Sequence, residues 1–150
     1  MSGAVPVLGD DDTDRASFPL IFAAGEGDGD EVERLLDAGV DVGQRSKDGE
    51  TALHTAAIRG DLRTLRALLA AGAEVDARTP PGATIYMTPS MWATYHGHAD
   101  FVRILLENGA DPTVADENGK TLLTMTQEAG QPAIESLVRE AAHRLRGDAK

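Results

Sequence analysis

Apolar and small residues recur at helical spacing in two adjoining blocks near the middle of the chain. The first block, TALHTAAIRG at residues 51–60, begins with a threonine suited to a helix N-cap and ends with a glycine suited to a helix stop. The second block, at residues 61–72, places Leu62, Leu65 and Leu68 on one side of a helix and also ends at a glycine. The turn-rich segment EVDARTPPG follows. The pattern therefore predicts two short helices and a connection.

This two-helix unit recurs, and its glycines give the period. A glycine is followed twelve residues later by another at Gly27 and Gly39, at Gly60 and Gly72, and at Gly97 and Gly109. The period is 33 residues from the first unit to the second and from the third to the fourth, but 37 from the second to the third. Helices this short are marginal alone, so each unit must stack on its neighbours to bury its apolar face.

One unit resembles a known repeat closely. Residues 48–77, DGETALHTAAIRGDLRTLRALLAAGAEVDA, resemble an ankyrin repeat, whose signature joins D-G-x-T-P-L-H-x-A-A-x-x-G-H to a V-x-x-L-L-x-x-G-A-D helix. The likeness extends to residues 18–42, 88–112 and 117–140. It implies an all-α, ankyrin-type repeat solenoid of four helix-turn-helix repeats, at about residues 17–45, 46–78, 79–115 and 116–146. Residues 1–16 are expected to form a disordered acidic tail, and residues 147–150 a disordered end.

The terminal units carry polar residues where the third unit has apolar ones. These are Glu31 and Arg34 in the first unit and Glu135 and Arg139 in the fourth. Because a terminal repeat shows water a face that a middle repeat buries, we expect a complete array with polar caps and a monomer. The threonine–histidine hydrogen bonding typical of ankyrin turns is expected only around Thr51 and His54.

Composition excludes several classes of function. The chain has no cysteine, which rules out disulfides and thiolate chemistry. The net charge is −11, and residues 10–41 carry eleven acidic residues against two arginines, so no nucleic-acid partner is expected. No stretch approaches the ~18 apolar residues of a membrane helix, and no signal peptide is evident, so we expect a cytoplasmic protein with no membrane partner. His96 and His98 are spaced like some metal ligands, but His98 belongs to the repeat's Gly-His turn. We predict no metal, no cofactor and no enzyme activity.

The resemblance also implies a binding face, formed by the connecting fingers and the first helices. Its free positions are Arg45, Lys47, Asp48, Glu50, Ile58 and Arg59 in the second repeat, Arg78, Pro80, Pro81, Ala83, Tyr95 and His96 in the third, and Glu117, Asn118, Lys120, Glu128 and Ala129 in the fourth. That face mixes both signs of charge, with local positive character at Arg45, Lys47, Arg59 and Arg78, whereas the acidic excess lies towards the N-terminal end.

Four residues, Ile85, Tyr86, Met87 and Thr88, account for the longer period between the second and third units. They lengthen a finger or add a turn before the third repeat's first helix. Either Ile85 and Met87 fold back onto the stack, or the insert, with Tyr86, is an anchor for a partner, because Tyr and Met are favoured at contact surfaces. Trp92 is expected in the core.

The family resemblance implies non-catalytic recognition of a protein partner through the concave face. The acidic N-terminal third favours an inhibitor or neutralising partner of a basic protein. The alternatives are a generic adaptor and an assembly or scaffold protein.

Overall fold

The computed structural model describes residues 12–79 and 87–148, and within them the chain forms nine helices connected by turns. In chain order these are α1 (Asp12–Ser17), α2 (Pro19–Glu26), α3 (Gly29–Asp37), α4 (Ala52–Arg59), α5 (Leu62–Ala70), α6 (Pro89–Tyr95), α7 (Ala99–Glu107), α8 (Leu122–Glu128) and α9 (Pro132–Asp148). Four pairs follow α1, each made of a first and a second helix. The prediction of an all-α solenoid of four helix-turn-helix repeats is confirmed.

A threonine begins the first helix of each of the last three repeats. The hydroxyl of Thr51 accepts a hydrogen bond from the backbone N–H of His54, and Thr88 and Thr121 cap α6 and α8 in the same way. A proline follows Thr88 at the first helical position, where its missing N–H costs nothing. In the second repeat a histidine completes the cap, because Nδ1 of His54 accepts from the N–H of Thr51 at 3.1 Å. The helix starts predicted at Thr51 and Thr88 are confirmed.

The helices form two layers. The first helices α2, α4, α6 and α8 pack side by side, and the second helices α3, α5, α7 and α9 pack against them and against one another. Alanines such as Ala24, Ala56 and Ala93 are fully buried between the first helices and allow a close approach. Larger side chains, among them Leu65 and Phe101, fill the space between the layers, and each such burial stabilises the fold by roughly 1.5–3 kcal/mol.

Hydrogen bonds from side chains to the backbone of the preceding repeat fix the stacking. The hydroxyl of Thr55 donates to the carbonyl of Ile21 at 3.0 Å. In the same way, Nε2–H of His98 donates to the carbonyl of Ile58 at 3.0 Å. The first bond is buried and the second is partly buried, so loss of either donor would leave a carbonyl unpaired between two repeats.

Both ends of the described chain are more helical than the sequence suggested. Helix α1 packs on α2, where Arg15 pairs with Glu26 at 2.9 Å and lies 4.9 Å from the ring centroid of Phe22. Residues 12–16, expected in a disordered tail, are therefore helical, and residues 147–148, expected in a disordered end, extend α9. The remainder of those two segments, residues 1–11 and 149–150, lies outside the described residues.

Polar caps occur at both ends of the second-helix layer, as predicted. Glu31 pairs with Arg34 along α3, and Glu135 pairs with Arg139 along α9 at 2.8 Å. The sequence did not suggest a further contact, in which Arg63 of α5 reaches back to the first repeat. Its guanidinium contacts Asp30 at 2.6 Å and Glu33 at 3.1 Å, so it joins two repeats on their exposed side.

Two glycines at helix ends allow the cost of backbone strain to be separated from the cost of a steric clash. Gly60 and Gly72 both have a positive φ, of 81° and 92°. A methyl group on Gly60 would lie 2.6 Å from Nδ1 of His98, whereas one on Gly72 would meet nothing within 4 Å. We expect Gly72→Ala to lower the free energy of unfolding by about 1 kcal/mol, the cost of a left-handed alanine, and Gly60→Ala by about 2 kcal/mol or more. Urea unfolding measures both. Equal losses would mean that the His98 ring moves aside without cost.

Candidate interaction face

The predicted face consists of the first helices and of the fingers, which are the connections at residues 38–51, 71–88 and 108–121. The tips of two fingers are held by the same pattern of hydrogen bonds. Oγ of Ser46 accepts from the N–H groups of Asp48 and Glu50, and Oδ1 of Asp116 accepts from the corresponding N–H groups two and four residues later. The tip residues Lys47, Asp48, Glu117 and Asn118 are exposed, as their assignment to the face requires.

Two arginines predicted to give the face positive character instead join one finger to the next. Nη1 of Arg45 donates to the carbonyl of Gly49 at 2.6 Å and to that of Arg78 at 2.9 Å. Nη1 of Arg78 donates in turn to the carbonyl of Ala115 at 2.8 Å. The two guanidinium groups thus lie along the row of fingers and bind carbonyls 33 and 37 residues farther along the chain. Both side chains therefore stabilise the row of fingers.

Glu50 was predicted to be a free position, and this is wrong, because its side chain is buried with only 5% of the residue exposed. Oε1 accepts a hydrogen bond of 3.3 Å from the hydroxyl of Ser46. Burial, followed by the charge of nearby Asp48, raises the pKa of Glu50 to about 7. Near neutral pH the second repeat therefore contains a carboxyl group that is partly ionised inside the fold.

His54 links the second repeat to the finger at residues 71–88. Because Nδ1 accepts from Thr51, the ring carries its proton on Nε2, which donates to the carbonyl of Met87 at 3.0 Å. Burial lowers the pKa of His54 to about 4, so the imidazole is neutral under ordinary conditions. The role expected from the sequence, a hydrogen-bonding histidine of the turn, agrees with this geometry.

A cluster of aromatic rings occupies the end of α6. Trp92 is buried, as expected, and its ring stacks on that of His96 with centroids 5.7 Å apart. His96 also stacks on His98 at 6.1 Å, and Tyr95 meets the rings of both Trp92 and His96 edge to face. Burial, followed by the charge of His98, lowers the pKa of His96. Tyr95 is thus in contact with two rings, yet it is 69% exposed.

A cleft of about 330 Å³ lies beside Tyr95, between the third and fourth repeats. Five residues that were assigned to the face from the sequence line it together: Met87, Tyr95, Lys120, Glu128 and Ala129. Met125 and Thr94 complete its inner wall, and Lys120 pairs with Glu128 at 2.7 Å across its rim. Met125 and Thr94 were not predicted, because their repeat positions indicate core and give no sign that a cleft opens beside them.

The other predicted positions contribute less to a shared site. Arg59 is exposed and its side chain covers Gly27 of the first repeat, while Ile58 is half-buried against the core. Within the insert, Met87 packs against the core, and its backbone N–H donates to Oγ1 of Thr79 at 3.1 Å. The remaining predicted positions, which lie outside the described residues, are Pro80, Pro81, Ala83, Ile85 and Tyr86.

The described residues offer neither a metal centre nor a membrane span. Across residues 12–79 and 87–148, no group of three or more His, Asp or Glu side chains is arranged to hold a metal ion. In the same parts of the chain, no helix has the length and apolar character needed to cross a bilayer.

Known proteins share the repeat pattern seen in the fold. A family model described as ankyrin repeats in three copies matches residues 7–79, and one described as a single ankyrin repeat matches residues 86–117. Similar proteins include palmitoyltransferase ZDHHC13 of Homo sapiens, at 35% identity, and palmitoyltransferase ZDHHC17 of Rattus norvegicus, at 31%. Each alignment extends over 106 residues, which is 71% of this chain but 17% of the relative. The chain thus spans only a small part of the length of these relatives.

The buried carboxyl of Glu50 predicts a specific pH dependence of stability. Its pKa is about 7 in the folded chain and near 4.5 in the unfolded one, so its stabilising contribution is complete below pH 4.5 and is lost as the pH rises through 7. Relative to Glu50→Gln, the native chain should lose about 2–3 kcal/mol of unfolding free energy between pH 4.5 and pH 8. Urea unfolding of both proteins at the two pH values measures this.

Comparing the native protein with Glu50→Gln cancels the pH dependence of stability that His54 contributes, which is opposite in sign to that of Glu50. Its pKa of about 4 lies below that of a free histidine, so its contribution is present above pH 6.5 and is lost as the pH falls towards 4 in both proteins alike. A difference in stability between the native and Glu50→Gln proteins that stays constant with pH would contradict the burial of a titrating carboxyl.

Proposed function

The chain belongs to the ankyrin-repeat family, and we propose that it recognises a protein partner through the face formed by its fingers and first helices. Ankyrin repeats are protein-interaction modules, and this fold offers an extended surface of exposed tips and helix ends. Within that surface, the binding region is proposed to be the cleft beside Tyr95 and the finger tips around it. The protein is proposed to act as a monomer in the cytoplasm.

The observation that supports this proposal most strongly is the setting of Tyr95. Among the described residues only Tyr95 and Leu145 are large apolar side chains with at least half of their area exposed. Trp92 and His96 contact the Tyr95 ring, so little conformational freedom is lost when a partner covers it. A rigid aromatic ring beside an apolar cleft is the arrangement typical of binding hot spots.

The charge of the first repeat favours a basic partner. Asp28, Asp30, Glu33, Asp37 and Asp41 are all exposed. Arg63 pairs with two of these carboxylates, but the repeat still presents an acidic surface at one end of the row of fingers. Such a surface speeds the encounter with a positively charged protein and selects against acidic ones. This supports a neutralising partner or inhibitor, which would cover a basic functional surface.

The second candidate is an adaptor. The similar stretch of the named palmitoyltransferases makes up 17% of their length, so in those proteins it is one part of a larger chain. A module of this kind can bring a bound protein to another component without altering its activity. An inhibitor and an adaptor use the same face and differ in whether the partner's activity changes on binding.

Photo-crosslinking tests whether this face binds a partner. We would replace Tyr95 with p-benzoylphenylalanine and, as the matched control, place the same residue at Arg66, which is exposed on α5 in the second-helix layer. Irradiation in lysate of the source cells should give one discrete adduct from position 95 and none from position 66. Excess native protein should suppress the adduct.

The outcomes separate clearly. Identical adducts from both positions, or an adduct from position 66 alone, would contradict the assignment of the face. Once the partner is identified by mass spectrometry, Tyr95→Ala should weaken its binding by about 2 kcal/mol while changing the unfolding free energy by less than about 0.5 kcal/mol.

A further inference from the structure

The cleft beside Tyr95 combines an apolar wall with an excess of negative charge. Met87 and Met125 provide flexible thioether side chains, and the exposed ring of Tyr95 stands at the edge. Among the described residues that line this space are two carboxylates, Asp116 and Glu128, and a single cation, Lys120. An occupant that is apolar along its length and positively charged at its end matches both properties.

A buried hydroxyl in the wall has no partner. Thr94 is 1% exposed and lines the cleft, and its Oγ1 makes no hydrogen bond within the described structure. A threonine inside a helix commonly bonds to a carbonyl one turn earlier, and here that bond is absent. Because this oxygen is already enclosed by the protein, Thr94 forms part of the wall, and N–H donors of an occupant must find their acceptors at the rim of the cleft.

The carboxylates at the rim have capacity for such a donor. Oδ1 of Asp116 already accepts two backbone N–H groups of its own finger, and Oδ2 takes part in neither bond. Glu128 pairs with Lys120 at 2.7 Å, and more than half of its side chain is exposed. An exposed pair of this kind is weak, so a second cation can share or replace Lys120 at little cost.

We propose that this cleft receives an arginine side chain of the protein partner, with its methylene stem between the two methionines and its guanidinium group between Tyr95 and Glu128. This inference rests on the proposed function, since it names the partner residue that the face takes. Arginine fits better than lysine because its planar head can stack on the tyrosine ring while its N–H groups bind carboxylate oxygens. The volume of about 330 Å³ accommodates one such side chain.

The test uses capped tripeptides and the full chain. Acetyl-Gly-Arg-Gly-amide would be titrated into ¹⁵N-labelled protein and followed by amide chemical shifts. Acetyl-Gly-citrulline-Gly-amide, which has nearly the same shape but no charge, is the matched ligand, and the leucine tripeptide tests a purely apolar occupant. We expect shifts confined to the backbone around Tyr95, Lys120 and Glu128. The arginine peptide should bind about tenfold more tightly than the citrulline peptide.

Protein variants test the named contacts. Glu128→Gln should bring the affinity for the arginine peptide down to that for the citrulline peptide, and Tyr95→Ala should weaken both. The control is Glu107→Gln, which removes an equally exposed carboxylate of α7 that pairs with Arg103, and it should leave binding unchanged. All of these positions are exposed, and thermal melts would verify that each variant is folded.

Three results would overturn the inference: equal affinity for the arginine and citrulline peptides, preference for the leucine peptide, or no shift up to the solubility limit. None of them would affect the crosslinking result at position 95, which depends on the face alone. The arginine site and the proposed function can therefore fail separately.

Discussion

Within the described chain, seven of the eight helices paired in the repeats are only seven to nine residues long, and none of these can bury its apolar side without the repeat beside it. This dependence on a neighbour governs the molecule. It accounts for the buried alanines that bring first helices together, and for the side chains that satisfy carbonyls in an adjacent repeat. Thr55, His54 and His98 each form such a bond, so apolar packing and polar pairing act across the same boundaries. Stability is therefore shared between repeats, and the face they present is only as rigid as their contacts.

Most of the fold could be predicted because its signals are local. The caps at Thr51 and Thr88 and the glycines near the helix ends act within one turn of the chain, and the period follows from their repetition. The site was harder to predict. Glu50 and Lys120 come from equivalent regions of their fingers, yet the first is buried and the second pairs with Glu128 at the rim of a cleft. That difference depends on the neighbouring side chains in the folded stack, which a repeat pattern does not specify.

The arginines of the fingers also show that a repeat pattern does not predict the partners of a side chain. Arg45 and Arg78 were expected to offer their charge to a partner, whereas both heads bind carbonyls of the following finger. The candidate recognition group is instead Tyr95, whose ring is held in place by contacts with the rings of Trp92 and His96. Met87, the one described apolar residue of the insert, has two roles. Its carbonyl holds His54 and its side chain lines the cleft, so the change of period coincides with the candidate binding site.

The bonds between Thr79 and Met87 have a consequence for protein engineering. The hydroxyl of Thr79 accepts from the N–H of Met87 at 3.1 Å, and the N–H of Thr79 reaches the carbonyl of Met87 at 3.5 Å, which closes the chain on itself at this point. Thr79 and Met87 are thereby held side by side. Peptides of other lengths could be grafted between them, so that the stack serves as a carrier for a displayed loop next to an existing cleft.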